Sequence, residues 1–556
     1  MEKVLNMWLD SPNVSDEDKQ TILAMNHTEK QEAFYKDVEF GTAGMRGLMG
    51  VGTNRINDFT IARATQAFAE YINARNVNKR VAIAYDNRNN SRHFANISAQ
   101  VLAHNNIEVY IYDEVMATPL LSYAVRQLDC GGGINITASH NPKEYNGFKV
   151  YDETGSQLVT RLAKIVVDNV SKLDNYLDII KPSTDAANAL IHHIDKKVVE
   201  KYTQTILNLQ FQPNQTEDFH LVYSPQHGAG VNVIPQLLDK AGYHYSLVKE
   251  QATLDGNFSN TESPNPEDKA AYTLALKQAK VENADMVVTS DPDADRLGVA
   301  IKHNGEYILL NGNETTSIML EYILKQRQLA NTLPQTPFVV NTIVTSDLGS
   351  KIAQSYGATM QKTLTGFKNI GSLMEKGDNL KNYVFGYEES YGSLPFAIVR
   401  DKDAVSATLL LAEMGSQAKK QGLTLVDVLN ELYKKHGYHI DTQQSITMAG
   451  LDGPEKIAAV MAKFYEQTIG TTDFGDIEVI ENYATSERID AKNTTPLDFE
   501  KADVFKVFFK DMGWIAIRPS GTEPKIKVYY GVTGKDETAA QANLKQLEAY
   551  VKIKID

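Results

Sequence analysis

A chain of 556 residues is too long for one hydrophobic core, and at about one domain per 150 residues it implies three or four domains. A hydrophobic fraction of 42% suits globular packing, while a formal net charge of −14, from 56 basic and 70 acidic residues, argues against general affinity for nucleic acid or anionic lipid. The single cysteine, Cys130, excludes an internal disulfide and a thiolate metal centre, and points to a reducing compartment.

The first residues, Met1 to Trp8, carry charges where a secretory apolar core would lie, and no long uncharged apolar run follows. A cytoplasmic protein without a membrane partner is expected. Phe40-Gly41-Thr42-Ala43-Gly44-Met45-Arg46-Gly47 is glycine-rich with one arginine, which permits close approach of backbone to an anion; a flexible connection is the alternative.

From there one theme repeats: a short β-branched or aromatic run, a loop of Gly, Asp, Ser or Pro, then a segment of helical period. That is the α/β pattern. Its runs include Val81–Tyr85, Val109–Tyr112, Leu221–Tyr223, Met286–Val288 and Val339–Val344, each short enough for a buried parallel strand. Open α/β sheets place ligands in the loops beyond the carboxyl ends of such strands.

Thr137-Ala138-Ser139-His140-Asn141-Pro142 follows the apolar run Gly133–Ile136 and precedes Asn146-Gly147-Phe148-Lys149, expected to form a hairpin. A serine hydroxyl needs a neighbouring base or cation to act as a nucleophile. His140 and Lys149 are candidates for that help. The polar stretch Lys181–Thr184 and the helical segment Asp195–Leu209 suggest a first boundary.

Asp291-Pro292-Asp293-Ala294-Asp295-Arg296 places three carboxylates at the mouth of a buried strand, and like charges this close call for a cation. Hard divalent ions take oxygen ligands, and Mg²⁺ uses few carboxylates, leaving sites for water or phosphate. An EF-hand is excluded, because Arg296 stands where that loop needs Gly and Lys302 where it needs Glu. The alternative is a solvated acidic turn with Arg296 as counter-ion. Lys302-His303-Asn304-Gly305 reads as a hairpin turn.

Gly386-Tyr387-Glu388-Glu389-Ser390-Tyr391-Gly392 follows the strand-like Tyr383–Phe385 and offers a carboxylate and a hydroxyl at alternate positions, which suits vicinal sugar hydroxyls; a helix N-cap is the alternative. Near the end, Trp514–Ile517 and Ile526–Tyr530 flank Arg518-Pro519-Ser520-Gly521-Thr522-Glu523-Pro524-Lys525, where a guanidinium, two hydroxyls and a glycine-permitted nest can wrap a phosphate. A tight hairpin loop is the competing reading.

With these segments in this order, the chain resembles the α-D-phosphohexomutases, and within them the phosphoglucomutases more than the phosphomannomutases. The resemblance implies three topologically similar α/β domains plus a C-terminal α+β domain around a central cleft. They are expected over residues 1–190, with the phosphoserine loop; 191–310, with the metal loop; 311–437, with the sugar loop; and 438–556, with the phosphate loop. It implies that Ser139 is phosphorylated in the resting enzyme and that Asp291, Asp293 and Asp295, with the Ser139 phosphate, hold Mg²⁺. Arg296 would assist at the metal loop and Glu388 and Ser390 would bind sugar hydroxyls. Thr365, Gly366 and Lys368 would sit in a loop that helps choose substrate orientation, while Arg518, Ser520, Gly521 and Thr522 would hold the phosphate that is not reacting.

Lys149 and Lys402 match family positions implicated in proton transfer, and with His140 they remain candidates; a lysine acting as base would need a lowered pKa. Arg46, Lys149, Arg296 and Arg518 would balance the phosphates and carboxylates. Phosphomannomutase-type members carry histidine two places after the sugar-binding serine, and Gly392 stands there. The implied activity exchanges glucose 1-phosphate and glucose 6-phosphate, with glucose 1,6-bisphosphate as intermediate and primer, in a monomer or homodimer. Rivals are a phosphopentomutase or phosphomannomutase, a Mg²⁺-dependent aspartate-nucleophile phosphatase suggested by Asp291-x-Asp293, and a non-catalytic metal-binding protein.

Overall fold

In the computed structural model the described residues are 1–41, 44–213, 218–448, 452–519 and 525–555. Four sheets follow one another along the chain. The first begins with two antiparallel strands, Phe40–Gly41 and Gly44–Leu48. Beside them lie Tyr145–Asp152, Gly132–Ile136, Arg80–Tyr85, Glu108–Ile111 and Ile191–His193, in that spatial order. The last four are mutually parallel, as βαβ connections require.

The second sheet pairs Met286–Ser290 in parallel with His220–Ser224 and antiparallel with Leu297–His303. The latter turns at Asn304 and Gly305, both at positive φ, into Glu306–Leu310. The third sheet sets Phe338–Thr342 between Thr359–Thr363 and Tyr383–Tyr387, all parallel, with Ser393–Leu394 antiparallel at one edge. The fourth is antiparallel throughout, from Tyr438–Thr447 across Lys525–Gly534, Gly513–Pro519 and Phe505–Phe509 to Gly475–Asn482 and beyond. The helices Gly453–Tyr465 and Glu537–Ile555 pack on it through Phe464, Leu547 and Tyr550.

Ile191–His193 pairs in parallel with Glu108–Ile111 and so belongs to the first sheet, although a boundary at 190 would assign it to the next unit. An edge strand of three residues has no sequence signature of its own. Three helices, Glu2–Asp10, Asp16–Ala24 and His27–Phe34, precede the first sheet and close a small core in which Trp8 donates to Tyr176 Oη at 2.8 Å. No helix among the described residues is long and apolar enough to cross a membrane.

Candidate active site

Ser139 lies in the loop that leaves Gly132–Ile136 and returns as the antiparallel strand Tyr145–Asp152. Asn146–Lys149 is therefore inside a strand rather than forming a hairpin, because Ile134, Asn135 and Ile136 pair with Val150, Lys149 and Phe148. The hairpin loop is the Ser139 segment itself. Ser139 is 2% exposed and left-handed, with φ of 51°, a conformation that a serine holds only when its surroundings enforce it. Its Oγ donates to Asp291 Oδ2 at 2.7 Å and lies 3.2 Å from His140 Nδ1.

Asp291, Asp293 and Asp295 follow directly on the buried strand Met286–Ser290 and bring one oxygen each to within 4.8 Å of one another. The bends are tight enough that Ala294 sits at φ of 51° and a Cβ on Gly228 would lie 2.4 Å from Pro292 Cα. Asp291 Oδ1 accepts from the amides of Asp295 and Arg296, both at 3.0 Å. Asp293 Oδ2 accepts from Thr118 Oγ1, Thr137 Oγ1 and Lys149 Nζ at 3.1, 3.2 and 2.9 Å. Asp293 Oδ1 and Asp295 Oδ1 are buried without a hydrogen-bond partner. Buried carboxylate oxygens left bare, in an all-oxygen donor set, fit a hard divalent cation. Without that cation, burial and the neighbouring carboxylates push Asp291 well above the usual carboxyl range. At Asp293 burial is outweighed by Lys149 and Lys402, which hold the group well below it.

Two lysines converge here, Lys149 from the strand Tyr145–Asp152 and Lys402 from the loop before the helix Ala404–Lys420. Lys149 Nζ lies 2.9 Å from Asp293 Oδ2 and 3.5 Å from Asp295 Oδ2, and Lys402 Nζ lies 3.1 Å from Asp295 Oδ2. Burial pulls both ammonium groups down, but the aspartates outweigh it and both end above the ordinary lysine value. The lowered pKa that a basic lysine needs is thus absent here, and both side chains are cations. His140 goes the other way: burial, then Arg296 and Arg46, press its pKa well below the usual imidazole value and leave it neutral. A neutral imidazole beside the Ser139 hydroxyl can accept a proton.

Arg46 reaches the Ser139 loop, donating to Asn141 Oδ1 at 2.9 Å. Arg296 turns its Nη1 to Glu267 Oε1, 2.6 Å away, with its Nε 3.9 Å from Asp295 Oδ1. Glu388 is buried after the strand Tyr383–Tyr387, where it accepts from the Gly366 amide at 2.8 Å. Burial lifts its carboxyl to about 7, against the pull of Lys402. Ser390 is half-buried in the turn before Ser393–Leu394.

Thr365 and Gly366 form the loop before the helix Phe367–Met374, which carries Lys368; its Nζ reaches Thr160 Oγ1 at 3.4 Å. Burial lowers Lys368 to about 8, with Glu500 opposing and Arg518 adding to the shift. Arg518 is next to last in the strand Gly513–Pro519, opposite Lys527. Ser520, Gly521 and Thr522 lie outside the described residues. Gly392 has a steric role: a Cβ there would lie 2.0 Å from Lys402 Cδ, so this lysine and a side chain at 392 compete for one space.

Sequence reasoning passed over several residues that shape the site. Thr118 and Thr137 orient Asp293. Tyr151 and Gln157 donate to Asp401 Oδ2, whose Oδ1 lies 3.4 Å from Lys402 Nζ. Glu267 holds Arg296. Thr137 lies in the segment already singled out but without a role assigned to it; the others sit in no loop of distinctive composition, and Thr118 is simply the first residue of a helix.

Four family models match the chain. Three are phosphoglucomutase/phosphomannomutase alpha/beta/alpha domains: domain I over residues 37–177, domain II over 200–305 and domain III over 311–436. The fourth is the C-terminal domain of the same family, over 454–544. The chain belongs to the phosphoglucomutase/phosphomannomutase family. It is an enzyme of the isomerase class, a mutase. The phosphoglucomutase of Staphylococcus aureus strain MRSA252 is 39% identical over 514 residues, 91% of this chain and 92% of that protein. That of strain bovine RF122 / ET3-1 is 39% identical over 507 residues, 90% of each chain.

Solved structures share the fold. A phosphoglucomutase/phosphomannomutase family protein from Burkholderia thailandensis superposes with a TM-score of 0.69 at 16% identity, covering 93% of this chain and 97% of its own. Parafusin, an exocytosis-sensitive phosphoprotein from Paramecium, does so in its open form with 0.69 at 17% identity, covering 94% and 95%.

Proposed function

We propose that this mutase is a phosphoglucomutase, which exchanges α-D-glucose 1-phosphate and glucose 6-phosphate through phosphorylated Ser139 and a glucose 1,6-bisphosphate intermediate. The observation that carries the reading is the 2.7 Å hydrogen bond from Ser139 Oγ to Asp291, within a cluster of three carboxylates with bare oxygens. Asp291, Asp293 and Asp295 would hold Mg²⁺, which when bound supplies positive charge to the transferring phosphoryl oxygens. The Ser139 loop and the aspartate loop thus form the phosphoryl-donor side of the cleft, and the loop at Glu388 and Ser390 is its sugar-facing counterpart. We take 1–190, 191–310, 311–437 and 438–556 as the working units, with Ile191–His193 a strand lent back to the first sheet.

In the forward step a hydroxyl of the bound hexose monophosphate forms the new O–P bond and the bond between phosphorus and Ser139 Oγ breaks. The hydroxyl proton passes to a base in the cleft, for which neutral His140 is the nearest imidazole to the reacting oxygen. Lys149 and Lys402, as cations, offset the charge on the phosphoryl oxygens and on Asp293 and Asp295. The bisphosphate then reorients, with Glu388, Ser390 and Lys368 toward the sugar and Arg518 toward the distant phosphate, and returns its other phosphoryl group to Ser139. The close approach of Lys402 to Gly392 supports the glucose over the mannose branch, since a histidine at 392 would displace that lysine.

Mass spectrometry after incubation with glucose 1,6-bisphosphate should find one acid-stable phosphate on the Ser139 peptide, and a coupled assay should detect glucose 6-phosphate formed from glucose 1-phosphate. A hydroxylamine-labile phosphate on Asp291, or no turnover by wild-type protein with Mg²⁺ and primer, overturns the proposal.

A further inference from the structure

Between the strand Arg80–Tyr85 and the helix Ser91–His104 lies Asp86-Asn87-Arg88-Asn89-Asn90, a loop with no part in the mechanism above. Arg88 is the residue that stands out. Its side chain is fully buried, and the carbonyls of the nucleophile loop close around it. Nη2 donates to Ser139 O at 2.6 Å and Asn141 O at 2.5 Å; Nη1 donates to Pro142 O at 2.8 Å and Tyr145 O at 3.1 Å. Nε lies 3.1 Å from Asp86 Oδ2. Asp86 is itself held, its Oδ1 accepting from the Arg88 amide at 3.0 Å and from Ser91 Oγ at 2.6 Å. Four N–H directions of the guanidinium are therefore committed to one seven-residue loop, and Nε keeps an ion-pair contact with Asp86.

This cradle has a consequence for the serine. A left-handed non-glycine residue persists only where its surroundings over-determine it. Ser139 is left-handed, and its own carbonyl is among those Arg88 grips. Turning that peptide back would pull the carbonyl off a buried cation and leave donors unpaired. The same turn aims Oγ at Asp291.

The far side of Arg88 is tied to the metal loop. Phe258 packs on the guanidinium at 5.0 Å, Asn87 Nδ2 donates to Asp255 O and Asn89 Nδ2 to Asn257 Oδ1, both at 3.0 Å. From that segment, Asn260 N donates to His227 Nε2, so His227 Nδ1 carries the hydrogen and donates to Thr253 O at 2.8 Å. The next residue, Gly228, is the one pressed against Pro292 between Asp291 and Asp293. A continuous set of contacts thus runs from the nucleophile loop through Arg88 to the metal loop of the adjoining sheet.

We infer that Arg88 is a positioning residue for phosphoryl transfer, holding the Ser139 loop in the conformation and register that set its oxygen against the Asp291 carboxylate. The inference rests on Ser139 being the phosphorylated nucleophile. Phosphoryl transfer draws its rate from placement, so a shift of about 1 Å costs on the order of 100-fold without altering how the sugar is held.

Arg88→Lys keeps the charge but offers three donors from one point, too few for the four carbonyls. It should lower kcat about 100-fold, with the KM for glucose 1-phosphate within about threefold of wild type. Phosphorylation of Ser139 by glucose 1,6-bisphosphate, followed by mass spectrometry, should slow by the same factor while the melting temperature stays within a few degrees. Asp86→Asn, which leaves Arg88 in place and removes its counter-charge, should lower kcat about tenfold and decides the matter if Arg88→Lys does not fold. A folded variant, Arg88→Lys or in its absence Asp86→Asn, that takes up phosphate and turns over at the wild-type rate overturns the inference. So does a loss that only tracks the unfolded fraction. Wild-type protein that takes no phosphate on Ser139 overturns the functional reading instead.

Discussion

The first three sheets and the fourth are stabilised in different ways. Residues of the first three share one apolar core, running from Ala82 and Leu121 through Leu221 and Val288 to Val340, Leu410 and Tyr433. The fourth closes on its own around Phe464, Val507, Ile515 and Tyr550. It meets the third across a smaller seam, where Ile343 and Val344 face Trp514, Ala516 and Tyr529. A few polar contacts stitch that seam. Trp514 Nε1 donates to Asp347 Oδ2 at 2.9 Å and Lys506 Nζ to Ile343 O at 2.7 Å, while away from the seam Gln443 Nε2 of the fourth sheet donates to Glu267 Oε2 of the second unit at 2.8 Å.

Ser139, Asp291 and Lys402, from three different units, are thus held at fixed distances by elements of a common core. Arg518 is carried by the unit with its own core, which is free in principle to shift as a body. Glu267 connects the two, since one oxygen holds Arg296 beside the carboxylates and the other takes Gln443 from the fourth sheet.

The contrast can be broken most directly at the serine. Ser139→Ala should remove mutase turnover by more than about 10⁴-fold while the thermal transition stays put, because one loop hydroxyl carries little packing energy. Turnover in a stopped assay would refute the division of labour. Next in size, Asp293→Asn replaces an acceptor that takes three donors, Lys149 among them, and should cost about 10³-fold in kcat. Titration calorimetry should show weakened Mg²⁺ binding in the same variant, and unchanged binding would free Asp293 from the metal set.

On the fourth unit the expected effects are smaller and of another kind. Trp514→Phe keeps the ring at the seam and drops the bond to Asp347, so KM should rise several-fold with kcat nearly unchanged, and docking should weaken by about 1 kcal/mol. A fall in kcat as large as that of the core variants would show that the seam is part of the rigid body. The last effect concerns pH and bears on stability rather than turnover. Burial lowers Lys506, which lies 3.7 Å over the Trp514 ring, to about 8, with Asp347 opposing. The folded protein then releases this proton before the unfolded chain does. Between pH 8 and about 10.4 the unfolded state binds more protons and stability rises with pH, by at most about 3 kcal/mol. Lys506→Met should flatten that rise in denaturant melts, and identical slopes for both proteins would exclude it.

The strands at Val81, Leu221, Met286 and Val339 and the loops that follow them were legible because each is a local pattern: a short apolar run with a polar break at its carboxyl end. The aspartate triplet and the serine loop were legible for the same reason, their residues being contiguous. Thr118 and Thr137 on Asp293, Tyr151 on Asp401 and Glu267 on Arg296 were not, since each contact spans from 29 to 250 positions and needs the sheets assembled first. The lysine charge states belong with these. A lysine beside a serine loop suggests a base, but Lys149 and Lys402 converge on aspartates from another sheet and remain cations.

What the amino-acid order determined by itself, then, is the inventory: alternating strands and helices, a serine in the loop beyond an apolar run, three spaced carboxylates, and a glycine at 392. Tertiary structure decided their use. It put the Ser139 hydroxyl on Asp291, left two carboxylate oxygens bare for a cation, wrapped a loop around Arg88 and joined three sheets in one core while leaving the fourth outside. Chain pattern can encode which groups are present because side-chain chemistry is local, whereas distances, burial and charge state arise only when distant segments displace water from one another.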